Sequence, residues 1–195
     1  MIESRDCITG EHVGRTSVYV KMLLNAMILN GIYINEIVEW NIDTVASSAR
    51  LHDIGKIAIP DEVFNKPDNL TVEEFNIIKT HTGHGVRIIK QFMNRTRDIE
   101  SLQHAKLFAE NHHEKWDGTG YPQGLAELSI PLHGRIIAIV DVYDALTSFR
   151  PYKKSMSHDE AITIIKDGRG KHFEPQIVDI FLGIQDQLQN HLNIS

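Results

Sequence analysis

Residues that can bind metal ions occur as short clusters along the chain: His52, Asp53, His81, His112, His113 and Asp141. Neutral imidazoles combined with carboxylates suit iron, manganese, zinc or nickel, and they disfavour calcium. These six side chains exceed the four ligands that one tetrahedral ion needs. Two ions that share a bridging carboxylate would use them, and such sites activate a water molecule and stabilise the leaving oxygen of a phosphoester.

Each of these residues also has an ordinary structural explanation. Adjacent helical residues such as His112 and His113 point about 100° apart, so this pair alone is a weak ligand signal. Asp141 could be a buried, hydrogen-bonded acid, and Asp144 an ordinary residue on a helix surface. The spacing alone leaves both explanations open. Other histidines are expected at the surface or at helix caps: His104, His133, His158, His172 and His191.

The composition restricts the class of protein. The chain has 195 residues, one cysteine, 11 histidines and a formal net charge of −6. A single cysteine excludes an internal disulfide and a cysteine-based zinc cluster. No apolar run approaches the roughly 18 residues that span a membrane, so we expect a soluble, cytoplasmic protein without membrane insertion. The acidic balance argues against binding to long nucleic acids.

Helices must position the candidate ligands, because most apolar residues recur at helical spacing. We predict an all-α fold and a single domain over residues 1–195. The predicted helical segments are 13–28, 43–53, 102–113 and 134–147, together with two that begin at the capping boxes Thr71–Glu74 and Ser157–Glu160. Gly83 and Gly85 are expected to bend the helix that Thr71 begins. Residues 114–132 form a long Gly- and Pro-containing connection, and such loops are usually functional.

A series of motifs follows one order along the chain: His52-Asp53-Ile54-Gly55-Lys56, Pro60-Asp61, the stretch from His112 to Gly120-Tyr121-Pro122, Asp141-Val142-Tyr143-Asp144, and Arg150-Pro151-Tyr152-Lys153. The series resembles the HD-GYP family, a branch of the HD superfamily of metal-dependent phosphohydrolases, from about Ser4 to Phe181. This resemblance implies an HD-superfamily helical bundle with a Gly- and Pro-rich GYP loop near the active site.

The resemblance also implies a metal centre of two divalent ions, with iron or manganese expected. The implied ligands are His52, Asp53, His81, His112, His113 and Asp141, with His12 as a further candidate. Asp53 is the expected bridge between the two ions. Some family members hold a third ion with a Glu at the position of Ile8. We therefore predict that a third ion is weakly held or absent here.

The activity implied by the resemblance is hydrolysis of cyclic di-GMP to pGpG and GMP. Asp53 and Lys56 are the implied catalytic residues. The implied substrate contacts are Lys56, Gly120, Tyr121, Arg150 and Lys153, although the last two would otherwise be read as a solvated basic turn. Two alternatives stay open: a phosphodiesterase for another cyclic dinucleotide such as cyclic GMP-AMP, and a catalytically degenerate regulatory module that binds nucleotides.

Two further expectations come from the family pattern. Members usually follow a receiver or sensor domain, so two readings stay open: the catalytic part of a longer regulatory protein, and a stand-alone enzyme. A regulatory domain, a GGDEF-type protein or a second copy of the chain are the expected protein partners. The chain also departs from the family pattern at Glu127, where many members have Gly, and at Glu174, where many have Asp.

Overall fold

The structure is a computed structural model that describes residues 10–148 and 155–192. Within these ranges the chain is helical and contains no β-strand, which confirms the predicted all-α fold. No helix in the described ranges is both long and apolar enough to cross a membrane.

Among the connections that the structure describes in full, the longest join α3 to α4 and α7 to α8. They are α1 (Gly10–Leu29), α2 (Ile34–Ile37), α3 (Ile42–Ser48), α4 (Asp61–Phe64), α5 (Val72–Lys79), α6 (His81–Met93), α7 (Ile99–Asn111), α8 (Leu132–Thr147), α9 (His158–Asp167), α10 (Pro175–Gly183) and α11 (Gln185–Leu192). Short 3-10 segments occupy Ala49–Leu51, Ile54–Ala58 and Glu127–Ser129.

Helix α8 lies at the centre of the main hydrophobic core. It packs against α1, α7, α9 and α10, and nearly all of its residues are buried. The run from Ile136 to Val140, whose composition is also compatible with a strand, lies inside this helix. A helix that is apolar on every side is stable only when other elements surround it. Asp141 is one of the few residues of α8 that are not fully buried.

The segment that carries His52 and Asp53 is not one continuous helix as the periodicity predicts. Helix α3 ends at Ser48, and two 3-10 segments follow it. Asp53 lies between these segments with φ −101° and ψ 7°, outside the helical region. This tighter winding places His52 and Asp53 at a buried junction, where both side chains are less than one-tenth exposed.

Both predicted capping boxes are present, but the expected bend at Gly83 and Gly85 is wrong. Thr71 and Glu74 bond each other's backbone, and α5 then ends at Lys79, so that Thr80 separates it from α6. Gly83 and Gly85 lie inside a regular helix. The backbone of Gly85 instead lies against the 3-10 segment, with its N atom 2.4 Å from the position that a Cβ on Gly55 would take.

A buried network explains the Glu at position 174. The Glu174 carboxylate is 3% exposed, and it accepts hydrogen bonds from the Tyr33 hydroxyl at 2.5 Å and from Arg135 Nη1 at 2.7 Å. The Arg135 guanidinium also lies 4.7 Å from the centre of the Tyr33 ring. Burying a carboxylate is costly unless it is paired and hydrogen-bonded, and both conditions hold here. The network joins α8, α10 and the turn before α2.

His133 is buried rather than exposed, so the surface expectation is wrong for this residue. Its Nε2 lies 2.8 Å from His104 Nδ1, and its ring packs against Trp40 with 4.5 Å between ring centres. Burial lowers the pKa of His133 to about 3 and also lowers that of His104. The folded protein therefore favours the neutral His133 ring. The neutral ring contributes to the free energy of unfolding. This contribution is fully present above about pH 6.5 and is lost as the pH falls toward 3.

We expect His133→Gln to make the protein less sensitive to acid. Glutamine keeps a polar group beside His104 but does not titrate. Between pH 7.5 and pH 5, the metal-free wild type should lose about 1–2 kcal/mol more unfolding free energy than the variant. Urea denaturation at both pH values measures this difference. Equal losses in the two proteins would show that protonation of His133 does not oppose folding.

Candidate metal centre

The buried carboxylate of Asp53 lies at the centre of a histidine cluster. Asp53 Oδ1 is 3.3 Å from His81 Nε2 and 3.5 Å from His112 Nε2, and Asp53 Oδ2 is 3.3 Å from His52 Nε2. The Nε2 atoms of His81 and His112 are 3.0 Å apart. Ligand atoms of Asp53, His81, His112 and His113 all lie within 4.8 Å of one another. This is a compact set of donors for one metal ion.

A second group of donors shares the same carboxylate. Ligand atoms of His12, His52 and Asp53 also lie within 4.8 Å of one another. Asp141 Oδ1 adds an oxygen to this side, at 3.7 Å from both His12 Nε2 and His52 Nε2. Asp53 therefore borders both groups, which is the arrangement that two ions with a common carboxylate ligand require. The structure thus brings together all seven sequence-predicted ligands.

The hydrogen bonds of the imidazole rings leave their Nε2 atoms available to bind a metal ion. The Nδ1 atoms of three rings contact backbone carbonyls: His52 with Ala49 at 2.8 Å, His81 with Ile78 at 2.7 Å and His112 with Phe108 at 3.1 Å. A carbonyl oxygen can only accept, so each Nδ1 carries the proton and donates. In the neutral ring, Nε2 then presents a lone pair toward Asp53. Such carbonyl contacts are the usual partners of metal-binding histidines.

Two polar atoms at the junction of the groups, His52 Nε2 and Asp53 Oδ1, are buried and have no well-aligned hydrogen bond among the described residues. Buried polar atoms are almost always bonded, because leaving one unpaired costs about 1–3 kcal/mol. Both atoms are metal ligands by type, and both point into the cluster. The residues present therefore fit a metal centre.

Burial and charge hold several of these groups in the form that binds metal. Burial, with the neighbouring His112, lowers the pKa of His81 to about 3 and brings that of His113 well below its usual range. Burial alone would raise the pKa of Asp53, but the charges of Lys56 and His52 outweigh it and hold that pKa well below its usual range. Neutral His81 and His113 and an ionised Asp53 are the states that coordination requires.

His52 differs from its neighbours. Burial disfavours its charged form, but the Asp53 carboxylate outweighs burial and raises the pKa of His52 to about 9. A proton on His52 in the metal-free protein partly balances the charge of Asp53. A metal ion would have to replace this proton, so metal binding is expected to release it.

Asp144 is fully buried, which contradicts the simple expectation of a helix-surface residue. Its Oδ2 lies 2.6 Å from His12 Nδ1, and its Oδ1 accepts from Arg15 Nε at 2.6 Å. Burial alone would raise the pKa of Asp144, but these two hydrogen bonds lower it. The ionised carboxylate fixes the proton of His12 on Nδ1, so that Nε2 faces Asp141. Asp144 therefore orients a candidate ligand.

Lys56 lies beside the shared carboxylate. Its Nζ donates to Asp53 Oδ2 at 2.6 Å, and its side chain is only 8% exposed. The 3-10 segment that follows Asp53 directs Lys56 back toward the cluster. A cation this buried interacts more strongly with nearby charges than one in water does. The role of Lys56 next to a phosphate stays a prediction.

The GYP loop reaches the cluster through Tyr121. The Tyr121 ring stacks on the His113 ring, with 4.6 Å between ring centres and an angle of 26°. Gly120 allows this approach, because a Cβ at this position would lie 2.4 Å from Lys115 N and 2.5 Å from His113 O. The loop therefore folds directly over the end of α7 and places an aromatic ring at the edge of the candidate metal centre.

Glu114 is a residue of this loop that sequence reasoning missed. It is 1% exposed, and its two carboxylate oxygens accept hydrogen bonds from the backbone N–H groups of Gln123 and Leu125 at 2.8 and 2.9 Å. These bonds fix the backbone just after Tyr121. A carboxylate can accept both hydrogen bonds at once. In the sequence, only the position of Glu114 directly after His113 indicated that it lies near the cluster.

We expect Glu114→Gln to loosen the loop. Glutamine has one acceptor oxygen, so one buried N–H group loses its partner, at a cost of about 1–3 kcal/mol. Urea denaturation should show this loss, and limited proteolysis should cut near residues 121–125 faster than in the wild type. Glu110→Gln is the matched control, because the partly exposed pair of Glu110 with Lys106 at 3.1 Å contributes less than about 0.5 kcal/mol. Equal stability of the two variants would contradict this role of Glu114.

Another departure from the family pattern has a structural consequence. Glu127 has φ 51°, in the left-handed region that favours glycine. Its backbone N–H donates to Trp116 O at 2.9 Å, which closes the base of the loop. A non-glycine residue held in this region costs about 1–2 kcal/mol.

The predicted substrate contacts Arg150 and Lys153, together with Ile8, lie outside the described residues.

Comparisons with known proteins agree with these features. A family model described as HD domain matches residues 15–177. A cyclic di-GMP phosphodiesterase of Vibrio cholerae is 44% identical over 96% of this chain and 38% of its own length. A 3'3'-cGAMP-specific phosphodiesterase 2 of the same organism is 37% identical over 95% of this chain and 33% of its own length. The chain thus spans less than half the length of these relatives.

The fold also matches a solved structure. An HDG"Y"P protein from Bdellovibrio bacteriovorus superposes with a TM-score of 0.59 and 22% identity, over 93% of this chain and 52% of that chain. At this identity the likeness concerns the fold alone. The family match over residues 15–177, together with the 44% identical relative, shows that the chain belongs to the HD domain family.

Proposed function

We propose that this chain is a metal-dependent phosphodiesterase domain that hydrolyses cyclic di-GMP to pGpG and GMP. The observation that carries the proposal is the buried Asp53 carboxylate shared by two groups of metal donors. A relative with 44% identity that is named a cyclic di-GMP phosphodiesterase supports the choice of substrate. We also propose that residues 1–195 form one HD-GYP domain of a longer regulatory protein, with a sensor domain, a GGDEF-type protein or a second copy as partner.

Membership of the HD domain family implies that the cluster binds divalent metal. We assign one ion to Asp53, His81, His112 and His113, and a second to Asp53, His12, His52 and Asp141. Iron or manganese fits a donor set of imidazole and carboxylate without thiolate. When bound, the ions supply an activated water and offset charge on the phosphoryl oxygens. A third ion is expected to be weak or absent.

The residues of the chain bind and orient the substrate around this centre. Lys56 offers an ammonium group next to Asp53, where it can donate to an oxygen of the scissile phosphate and stabilise the developing charge. Tyr121 offers an aromatic ring at the edge of the cluster, suited to stacking on a guanine base. Gly120 keeps the loop backbone close to α7. Arg150 and Lys153 complete the proposed contacts to phosphate and guanine.

The direct test is turnover by the metal-loaded protein. Protein purified without oxygen and loaded with Fe or Mn under reducing conditions should convert cyclic di-GMP to pGpG and then GMP. Chromatography of the reaction mixture measures these products over time. The metal content measured in the same sample should be two ions per chain. A fully loaded protein that binds the dinucleotide without cleaving it would overturn the proposal and favour a regulatory module.

Cyclic GMP-AMP is the second candidate substrate, because a relative with 37% identity is named as specific for it. The two dinucleotides differ in one base, so base contacts rather than the metal centre must distinguish them. Rates measured side by side decide between them. A higher kcat/KM for cyclic GMP-AMP than for cyclic di-GMP would replace the leading proposal.

A further inference from the structure

A groove outside the metal cluster is lined by basic residues. It has a volume of about 740 Å³ and lies along the end of α5 and the start of α6. Its lining includes Lys79, His84 and Arg87, with Tyr121 and Pro122 of the GYP loop on the opposite wall. None of the described residues that line it is acidic. The groove is shallow and largely open to solvent, so charge rather than enclosure would hold a ligand there.

The cations of this groove are not neutralised by carboxylates. Among the described residues, neither Lys79 nor Arg87 forms an ion pair, although the chain as a whole carries a net charge of −6. Arg87 donates to His84 Nδ1, which leaves the proton of a neutral His84 on Nε2 as a further donor. Lys79 Nζ lies 4.6 Å from the centre of the Phe75 ring, which restricts where the ammonium can lie. The groove is therefore a local positive site in an acidic protein.

Tyr121 connects this groove to the candidate metal centre. Its ring stacks on His113 at 4.6 Å, and Lys79 Nζ lies 5.4 Å from the centre of the same ring. Tyr121 therefore contacts the cluster and also lines the groove. A ligand whose reacting phosphate lies at the metals can pass Tyr121 and place another part in the groove.

We propose that the groove binds the phosphate of the cyclic dinucleotide that is not being cleaved. This proposal rests on the proposed function. The substrate carries two phosphodiesters, and the cluster with Lys56 accommodates only the one that reacts. Lys79 and Arg87 would contact the other phosphate, and Arg suits the paired oxygens of a phosphate group. The groove would thereby favour dinucleotides over smaller phosphodiesters.

The test compares two substrates in one set of variants. Cyclic di-GMP has the second phosphate, whereas bis(p-nitrophenyl) phosphate has only the reacting one. In the double variant Lys79→Gln/Arg87→Gln, the ratio of kcat/KM for cyclic di-GMP to that for the small diester should fall about tenfold or more, mainly through KM. Lys90→Gln is the matched control, because it removes one charge from α6 outside the groove, and its ratio should stay within about twofold of the wild type.

Binding to metal-free protein gives a readout that does not depend on catalysis. Isothermal titration with cyclic di-GMP should show a Kd about tenfold higher in the double variant than in Lys90→Gln. An unchanged ratio and an unchanged Kd would overturn the groove proposal while leaving the proposed function intact. Equal losses for both substrates would also overturn it, since the residues would then act on the metal centre. Failure of the proposed function appears separately, as a wild type that does not cleave the dinucleotide.

Discussion

Replacement of Asp53 by alanine is expected to remove both metal ions and to lower turnover by at least about 10³-fold. The reason is geometric. Both oxygens of this carboxylate lie within 3.5 Å of imidazole nitrogens, and the two donor groups share only this residue. Loss of any one histidine removes a ligand from one group. Loss of Asp53 removes the common ligand of both.

The measurement is metal content per chain after anaerobic loading, together with the rate on cyclic di-GMP. Asp53→Asn is the second variant, because it keeps the volume beside Lys56 and guards against a folding defect in the alanine form. Asp179→Asn is the matched control, since its exposed pair with Arg169 at 2.8 Å contributes at most about 1 kcal/mol. An Asp53→Asn protein that holds two ions with wild-type turnover would refute the bridging role.

The candidate metal donors could be proposed from the sequence because most of them lie in the motifs that resemble the family pattern. His52-Asp53 and His112-His113 are unusual pairs, and Asp141 interrupts an apolar helix. The supporting helices were also predictable, since the apolar residues of α1 recur at helical spacing and only the run 136–140 of α8 is also compatible with a strand. What the sequence could not show was the distance between these motifs, which depends on the packing of α1, α6, α7 and α8.

The residues that sequence reasoning missed act through tertiary contacts. Asp144 is bonded to His12 and Arg15, more than 120 residues away, and nothing in the local pattern distinguishes it from a surface acid. Glu114 accepts hydrogen bonds from the backbone of its own loop. This loop has no regular spacing of apolar residues from which its conformation could be predicted. The 3-10 winding around Asp53 is a similar case. It arises because that segment must pass α6 at close range, and local propensity does not encode this approach.

Gly55→Ala is expected to lower the free energy of unfolding by more than about 3 kcal/mol. A Cβ at this position would lie 1.9 Å from His81 O and 2.4 Å from Gly85 N. Both are backbone atoms of α6, so no side chain can rotate away, and α6 must move as a unit. Because α6 carries His81, the same displacement should weaken metal binding at the cluster.

Gly14→Ala is the matched control for this substitution. Among the described residues, no atom lies within 4 Å of a Cβ at Gly14, which is inside helix α1, so alanine should stabilise the protein by about 0.5–1 kcal/mol. Urea denaturation of the metal-free proteins measures both changes, and metal titration of the folded variants measures the effect on the cluster. If Gly55→Ala is as stable as the wild type and binds metal equally well, α6 does not need this close contact to hold His81 beside Asp53.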